Sequence, residues 1–569
     1  MSDTRTLRGL AAAPGVAIGP ALVYTPKAAA PAQRDGDAAA ELARLDDAIA
    51  RADAALEALE ERLRAEGQPD EAEIFAAHRM LLADPALRDE AAAVIEAGQS
   101  AAAAFAAAAE GQAAELEALD DEQFSARATD LRDIAGQVGR ALTGAASLAD
   151  RLDRPAVVIA HDLGPSDLAG APRERLLGFA LAAGGYTAHT SIIARALGLP
   201  AVVGLGEALL AAASDGTPVA LDGAAGTLAL DPPAAELERL RAVSADLAAE
   251  TAALREQIGL PPVTRDGRRI LLVANASTPE EAAAARDWGA EGVGLLRTEL
   301  LFLDRPSLPD EREQLALYAA VAAELPGLPV TVRTLDVGGD KHLPAFPLPR
   351  EDNPFLGWRG LRIGLTQPEL LLPQLRALLR AGAAADVRVM LPMVATVGEL
   401  RQARALLEQA RGELQRESLA HAGALQVGVM IEIPAAALNA EALAREADFF
   451  SIGTNDLTQY TLACDRTNSR VANLYQPLDP AVLRLIQMAC AAARRFNRHT
   501  AVCGELASDP QATALLIGLG VDELSCAPSA LPRVRAAVRA ADGAAAEELA
   551  ARALACASAD EVRALLAEG

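Results

Sequence analysis

"RILLVANAS" (Arg269–Ser277) and "GVGLLRTE" (Gly292–Glu299) are two short apolar runs separated by an alanine-rich helical stretch, and each ends in polar residues. After Pro261 the same rhythm continues through "PVTVRTLDVGG", "VRVMLPMV", "LQVGVMIEIP", "DFFSIGTNDL", "TAVCGELA" and "DELSCAP". About eight candidate strands alternating with helices match the count and size of a TIM-like (β/α)8 barrel. A doubly wound open sheet would alternate in the same way, so the periodicity predicts a parallel α/β region and leaves its closure open.

The polar residues of this region follow the apolar runs directly. Asn275, Arg297 with Glu299, Arg333 with Asp336, Glu432, Asn455 with Asp456, and Cys503 with Glu505 all stand at such ends. In a parallel α/β barrel those positions converge on the C-terminal rim, where active sites are built. Arg297 and Arg333, joined by Arg466 in "CDRTN", offer planar donor forks suited to phosphate and carboxylate oxygens. Glu432 and Asp456 are oxygen donors of the kind Mg2+ prefers. Three arginines and two acids at one rim describe a site for a small, multiply anionic, metal-bound substrate. The same residue types would also suit a structural ion-pair network. Cys503, between an apolar run and Gly504, reads first as a small core residue and takes a catalytic role only from its company.

Upstream the pattern differs. Leu7 to Tyr24 reads as short strands broken at Pro14-Gly15 and at Gly19-Pro20. Leu42, Leu45, Ile49, Ala52, Leu56, Leu59 and Leu63 then alternate spacings of three and four, predicting an amphipathic helix within a helical insertion over 35–145. An α/β unit resumes at "RPAVVIAHDL" and closes with the hairpin "GTPVALDGAAGTLALDP". Leu237, Leu240, Leu247, Leu254 and Ile258 mark a connector helix, so the expected division is 1–34 with 146–230, 35–145, 231–260 and 261–569.

Between those strands lies "GGYTAHTSIIARALGLPAVVG" (Gly184–Gly204). The glycine pair permits a tight turn, and Ile192, Ile193, Ala196 and Leu197 share one face of a predicted helix that places His189 near its N-terminus. Unpaired N–H groups and the positive dipole end there would stabilise a phosphate carried on the ring. No second histidine or cysteine stands at ligand spacing, so the stretch fits a phosphohistidine better than a metal.

The 569-residue chain is half apolar but only 3% aromatic, so alanine-rich helices are expected to supply much of its bulk. A net charge of −26 argues against nucleic acid as a partner. Five scattered cysteines form no disulfide framework. With no signal-peptide layout and no apolar run long enough to span a bilayer, the expectation is a soluble cytoplasmic protein without membrane insertion.

Taken with "GAEGVGLLRTELLFLDR", "VRTLDVGGDKHLPAF", "NPFLGWRGLRI", "IEIPAAA", "FFSIGTNDLTQYTLACDRTN", "LYQPLDPAVL" and "CGELASDP", the histidine stretch resembles the enzyme I family of bacterial phosphotransferase systems, the phosphoenolpyruvate–protein phosphotransferases. The likeness runs in order over essentially the whole chain. It implies a swivelling phosphohistidine α/β domain with an inserted helical bundle, followed by a C-terminal (β/α)8 barrel that dimerises. It implies that phosphoenolpyruvate and Mg2+ bind at the barrel rim and that the phosphoryl group passes to His189, releasing pyruvate. From there it would pass to a histidine of the phosphocarrier protein HPr, docked on the helical insertion, to energise sugar uptake. By the same match, Arg297, Arg333 and Arg466 hold phosphate and carboxylate, Asn455 adds a hydrogen bond, Glu432 and Asp456 ligate Mg2+, and Cys503 protonates the enolate. Tyr186 and Ala188 depart from the arginine and serine common in the family beside the nucleophile. Two alternatives share the swivelling histidine and barrel or the fold alone: an ATP-linked pyruvate phosphate dikinase or phosphoenolpyruvate synthase, and a non-catalytic phosphoenolpyruvate sensor. The first needs a large nucleotide-grasping domain where this chain carries a helical insertion; the second would be expected to lose His189 or the acidic pair.

Overall fold

A computed structural model describes residues 5–25, 37–65, 69–117, 122–183, 190, 194, 198–206, 208–302, 305, 307–339, 343, 345–346, 348–349, 351–466, 468 and 470–567. The chain divides into two compact units, Met1–Thr251 and Ala252–Gly569.

The first unit is built on β1 (Arg5–Arg8), β2 (Leu10–Ala13), β3 (Val16–Tyr24), β4 (Ala156–Ala160), β5 (Leu176–Leu181), β6 (Ala201–Val203), β7 (Pro218–Asp222) and β8 (Thr227–Leu230). Their order in the sheet is β1-β8-β7-β3-β4-β5-β6-β2. The expected closing hairpin is the antiparallel β7–β8 pair, and the run after Pro155 is β4, buried at every residue. The chain breaks at Pro14-Gly15 as the sequence suggests, but not at Gly19-Pro20. There β3 continues, and Pro20 sits where its pairing passes from antiparallel β7 (Val16 to Pro20) to parallel β4 (Ala21 to Tyr24). A proline lacks the N–H that a ladder needs, and the changeover is where least is lost.

Between β3 and β4 lie helices Ala38–Ala65, Pro69–Leu82, Pro85–Glu96, Ala101–Glu117 and Glu122–Thr143. The leucine seam of the first is inside: Leu45, Ala52, Leu56 and Leu63 are buried, with Leu42, Ile49 and Leu59 packed half-buried around them. Ala104, Ala109, Ala113 and Ala128 are fully buried, so small side chains let these helices approach closely and fill the core without aromatics. Helix Ala234–Glu256 follows β8. Of its leucine pattern only Leu240 is buried among the described side chains, and the division between the units falls inside this helix.

The second unit settles closure. Strands β9 (Leu271–Ala276), β10 (Val293–Leu296), β11 (Val330–Arg333), β12 (Val387–Leu391), β13 (Val427–Ile431), β14 (Phe449–Ile452), β15 (His499–Val502) and β16 (Glu523–Cys526) form a closed parallel barrel. The closing pair is β16–β9, in register from Glu523 opposite Leu271 to Cys526 opposite Ala274. Its strands are near-continuous apolar runs because both faces are covered: the interior holds Leu295, Met390, Met430, Phe449 and Cys503, and the outer face packs on the helices. No helix among the described residues is long and apolar enough to cross a membrane.

Gly428 in β13 lies flat against the Phe449 ring, which a Cβ would overlap. Gly428→Ala is therefore expected to lower barrel stability by about 1–3 kcal/mol, seen as an earlier urea midpoint in tryptophan fluorescence, since both tryptophans lie in this unit.

Candidate active site

The strand ends bring most of the predicted residues together. Arg333 closes β11, where its Nη2 donates to Glu299 Oε1 at 2.8 Å and its Nη1 lies 3.4 Å from Asp336 Oδ2. The Asp336 backbone N–H also donates to Glu299 Oε1, at 3.1 Å. Arg359 continues the chain of charges: its Nη2 is 3.0 Å from Asp336 Oδ2 and 3.4 Å from Asp456 Oδ2, and its Nη1 donates to the Tyr460 hydroxyl at 3.1 Å. Phe355 stands under its guanidinium, with 5.8 Å from Cζ to the ring centre. Glu432, directly after β13, accepts the Met393 N–H at 2.6 Å.

Four carboxylates (Glu299, Asp336, Glu432, Asp456) and two guanidiniums (Arg333, Arg359) thus share one rim, and none is more than 8% exposed. Burial works against charge on both arginines, yet Glu299 and Asp336 beside Arg333, and Asp336 and Asp456 beside Arg359, hold them above the ordinary arginine range. Glu432 is pushed upward, first by burial and then by Asp456 and Asp336. Four carboxyl groups share this buried set with two guanidiniums, and since burial and its acidic neighbours favour a proton on Glu432, a divalent cation bound there would take that proton's place. No group of three or more His, Cys, Asp or Glu residues among those described could hold a metal ion by itself. A carboxylate pair with open positions suits Mg2+, which keeps waters and substrate oxygens in its shell. Donors are also to spare: among the described residues, Nε of Arg333, Nε of Arg359 and Nη1 of Arg466 are buried without an acceptor.

Cys503 follows β15 and is both a core residue and part of this rim. Its side chain completes the barrel's interior cluster, where burial pushes the thiol up to about 11. Its other electrostatic neighbours are Glu432, Arg333 and Arg297, which places Arg297, exposed at the end of β10, over the same site. A thiol so held is protonated near neutral pH and can give a proton. Asn275 braces it from behind, donating to the Cys503 carbonyl at 3.2 Å and accepting the Ser525 hydroxyl at 2.7 Å. Asn455 stands at the head of helix Thr454–Leu462 and exchanges hydrogen bonds with Glu505: Nδ2 to Oε1 at 3.1 Å, and the Glu505 N–H to Oδ1 at 3.0 Å. That close approach requires Gly504, whose Cβ would overlap Thr454 Oγ1. Arg466 lies beside Tyr475, whose hydroxyl burial pushes up to about 12 and which also feels Glu505 and Asp456.

His189 lies outside the described residues, as do Tyr186, Ala188, Ile192, Ile193, Ala196 and Leu197. The described neighbour Thr190 is buried and donates its hydroxyl to the Leu163 carbonyl at 2.8 Å.

Arg359 was not among the residues singled out from sequence. It follows no strand; it sits in the loop before the short helix Leu361–Thr366, so a rule that looks at strand ends passes over it. The signal present was a glycine-flanked arginine in "LGWRG", where Gly360 at φ 55° brings the backbone so close that a Cβ would lie 2.9 Å from Asp336 Oδ1.

Three family models match in chain order: PEP-utilising enzyme, N-terminal, over 8–127; PEP-utilising enzyme, mobile domain, over 152–226; and PEP-utilising enzyme, PEP-binding domain, over 251–543. The phosphoenolpyruvate-protein phosphotransferase of Geobacillus stearothermophilus is 42% identical over 538 residues, 94% of this chain and 93% of that protein. The protein of the same name from Haemophilus influenzae is 40% identical over 539 residues, with the same coverage of each chain. The multiphosphoryl transfer protein of Rhodobacter capsulatus is 44% identical over 568 residues, 99% of this chain and 67% of that longer protein.

Arg359→Met would leave Asp336 and Asp456 buried without their shared cation. The expected loss is about 3–5 kcal/mol of barrel stability, read from urea unfolding. Iodoacetamide at pH 8 is expected to spare Cys503 in the folded protein while it alkylates the less buried Cys556, a contrast that peptide mass mapping resolves.

Proposed function

Because the chain belongs to the phosphoenolpyruvate–protein phosphotransferase family, we propose that it transfers the phosphoryl group of phosphoenolpyruvate to its own His189 and then to a histidine of the phosphocarrier HPr, to energise sugar uptake. The observation that carries this reading is the rim array, where buried acids, guanidinium donors without acceptors and a protonated thiol meet within one closed barrel.

In this reading Arg297, Arg333 and Arg466 hold the substrate's phosphate and carboxylate, and Asn455 adds a hydrogen bond. Arg359 keeps Asp336 and Asp456 in place and spreads positive charge across the rim. Glu432 and Asp456 would hold Mg2+, which when bound neutralises charge on the transferring group. A nitrogen of His189 forms the N–P bond as the P–O ester bond breaks, and the electron pair stays on the enolate. The Cys503 S–H then gives its proton to the methylene carbon, pyruvate leaves, and the thiolate regains a proton from solvent. On transfer to the carrier, the N–P bond to His189 breaks as the bond to the carrier's histidine forms.

The helical insertion offers the carrier a place to dock. Met80, 61% exposed, is the one large apolar side chain left exposed among the insertion's described residues. It borders a groove between helices Ala38–Ala65 and Pro69–Leu82 that is lined by Asp46, Asp53, Glu60 and Arg79, a mainly acidic setting that suits a basic partner surface. The barrel unit is assigned to homodimer formation on the family resemblance.

Incubation with labelled phosphoenolpyruvate and Mg2+ tests the reading. Wild type should acquire an acid-labile label that EDTA prevents, and His189→Ala should acquire none. Cys503→Ser should bind substrate yet form pyruvate more slowly by about 100-fold or more. An unlabelled wild type, or a labelled His189→Ala, would refute it.

A further inference from the structure

His78 is wholly buried in helix Pro69–Leu82, two residues before Met80. Its Nε2 lies 3.1 Å from Asp130 Oδ1 and its Nδ1 3.4 Å from Asp133 Oδ2, while the Phe75 ring meets it edge-on at 5.8 Å. Asp130 and Asp133 are themselves buried, three residues apart on one face of helix Glu122–Thr143. Each ring nitrogen thus faces one carboxylate at ion-pair distance rather than across an aligned hydrogen bond.

Asp133 also reaches across to the sheet half of the unit. Its Oδ1 accepts the Ser166 hydroxyl at 2.7 Å, its Oδ2 is 3.3 Å from the Ser166 N–H, and only a glycine fits at Gly164 beside it. Helix Pro165–Gly170, which contains Ser166, is gripped at two further points. Arg140 lies 3.4 Å from Asp167, which also takes the Tyr24 hydroxyl at 3.3 Å, and Arg62 donates to the Ala169 carbonyl. One residue before Gly164, the Leu163 carbonyl anchors Thr190, the neighbour of His189. From the other side, Arg79 next to His78 is held by Asp53, Glu57 and Glu60 of helix Ala38–Ala65.

We propose that His78 is a positioning residue for transfer to the carrier: through Asp133 and Ser166 it fixes the Leu163–Thr190 anchor relative to the helix that presents Met80. This rests on the docking reading above. Phosphoryl transfer depends on orientation, and an ångström-scale misplacement is costly. The latch joins the segment beside the nucleophile to the surface that would hold the acceptor, so it acts on the second half-reaction and not on the first.

The test measures the two half-reactions of the full-length protein separately by rapid quench, with purified HPr as acceptor. His78→Gln and Ser166→Ala are expected to lower the maximal rate of transfer to HPr by about tenfold or more, with the HPr KM held within about twofold. Labelling by phosphoenolpyruvate should keep its wild-type rate. The double variant should be no slower than the worse single one, because both substitutions break the same path. Ser166→Ala removes a single hydroxyl, and with it the bond to Asp133 Oδ1, so it reports even if His78→Gln fails to fold. Met80→Asp should raise the HPr KM; if it does not, the docking reading falls and takes this inference with it. If Met80→Asp raises KM while Ser166→Ala transfers at the wild-type rate, or slows both half-reactions equally, the inference alone is overturned.

Discussion

The barrel rim is governed by one electrostatic constraint: Glu299, Asp336, Glu432 and Asp456 are buried together, and Arg333 and Arg359 stand between them. Burying so many charges is a poor way to gain stability, because apolar residues of similar volume would do as well or better. The array makes sense as a binding surface kept slightly incomplete. Its carboxyl groups outnumber its guanidiniums, Glu432 among them favouring a proton, and among the described residues some of its guanidinium N–H groups have no acceptor. A metal-bound polyanion supplies what both deficits lack.

The surrounding fold serves to hold that array still. Gln374, fully buried, accepts the Leu335 N–H and donates to Thr298 and Tyr318, and Thr298 in turn bonds the Arg333 carbonyl. Asn275 and Ser525 brace the Cys503 backbone across the seam where the barrel closes. Arg333, Asp336 and Cys503 therefore stand on backbone held by buried hydrogen bonds, the condition for preorganised electrostatics. The first unit shows the same economy. Helix Pro165–Gly170 is short and weak alone, yet contacts from the helical insertion converge on it next to the Thr190 anchor.

Much of this was legible in the sequence because strand periodicity and residue type are local properties. The apolar runs located the barrel strands, and the polar residue after each run located Arg297, Arg333, Glu432, Asp456 and Cys503. Arg359 was not legible by that rule, since a loop residue reaches the rim only through the path of its backbone. The latch at His78 was hidden for a related reason: a histidine in an apolar helical stretch reads as core, and core it is. Its two acidic partners lie more than fifty residues away in sequence. Pro20 misled in the other direction, since a proline that breaks most strands here marks only a change of partner.

The sequence by itself determined the alternation of strands and helices, the alanine-packed insertion and the chemical character of the strand-end residues, because each follows from side-chain size, polarity and spacing along the chain. Only the tertiary structure decided that the eight strands close through β16 and β9, that Cys503 is at once core and rim, and that Arg359 completes the charge array. Closure depends on twist and register summed over a whole sheet, and the state of a buried charge depends on neighbours drawn from many elements at once.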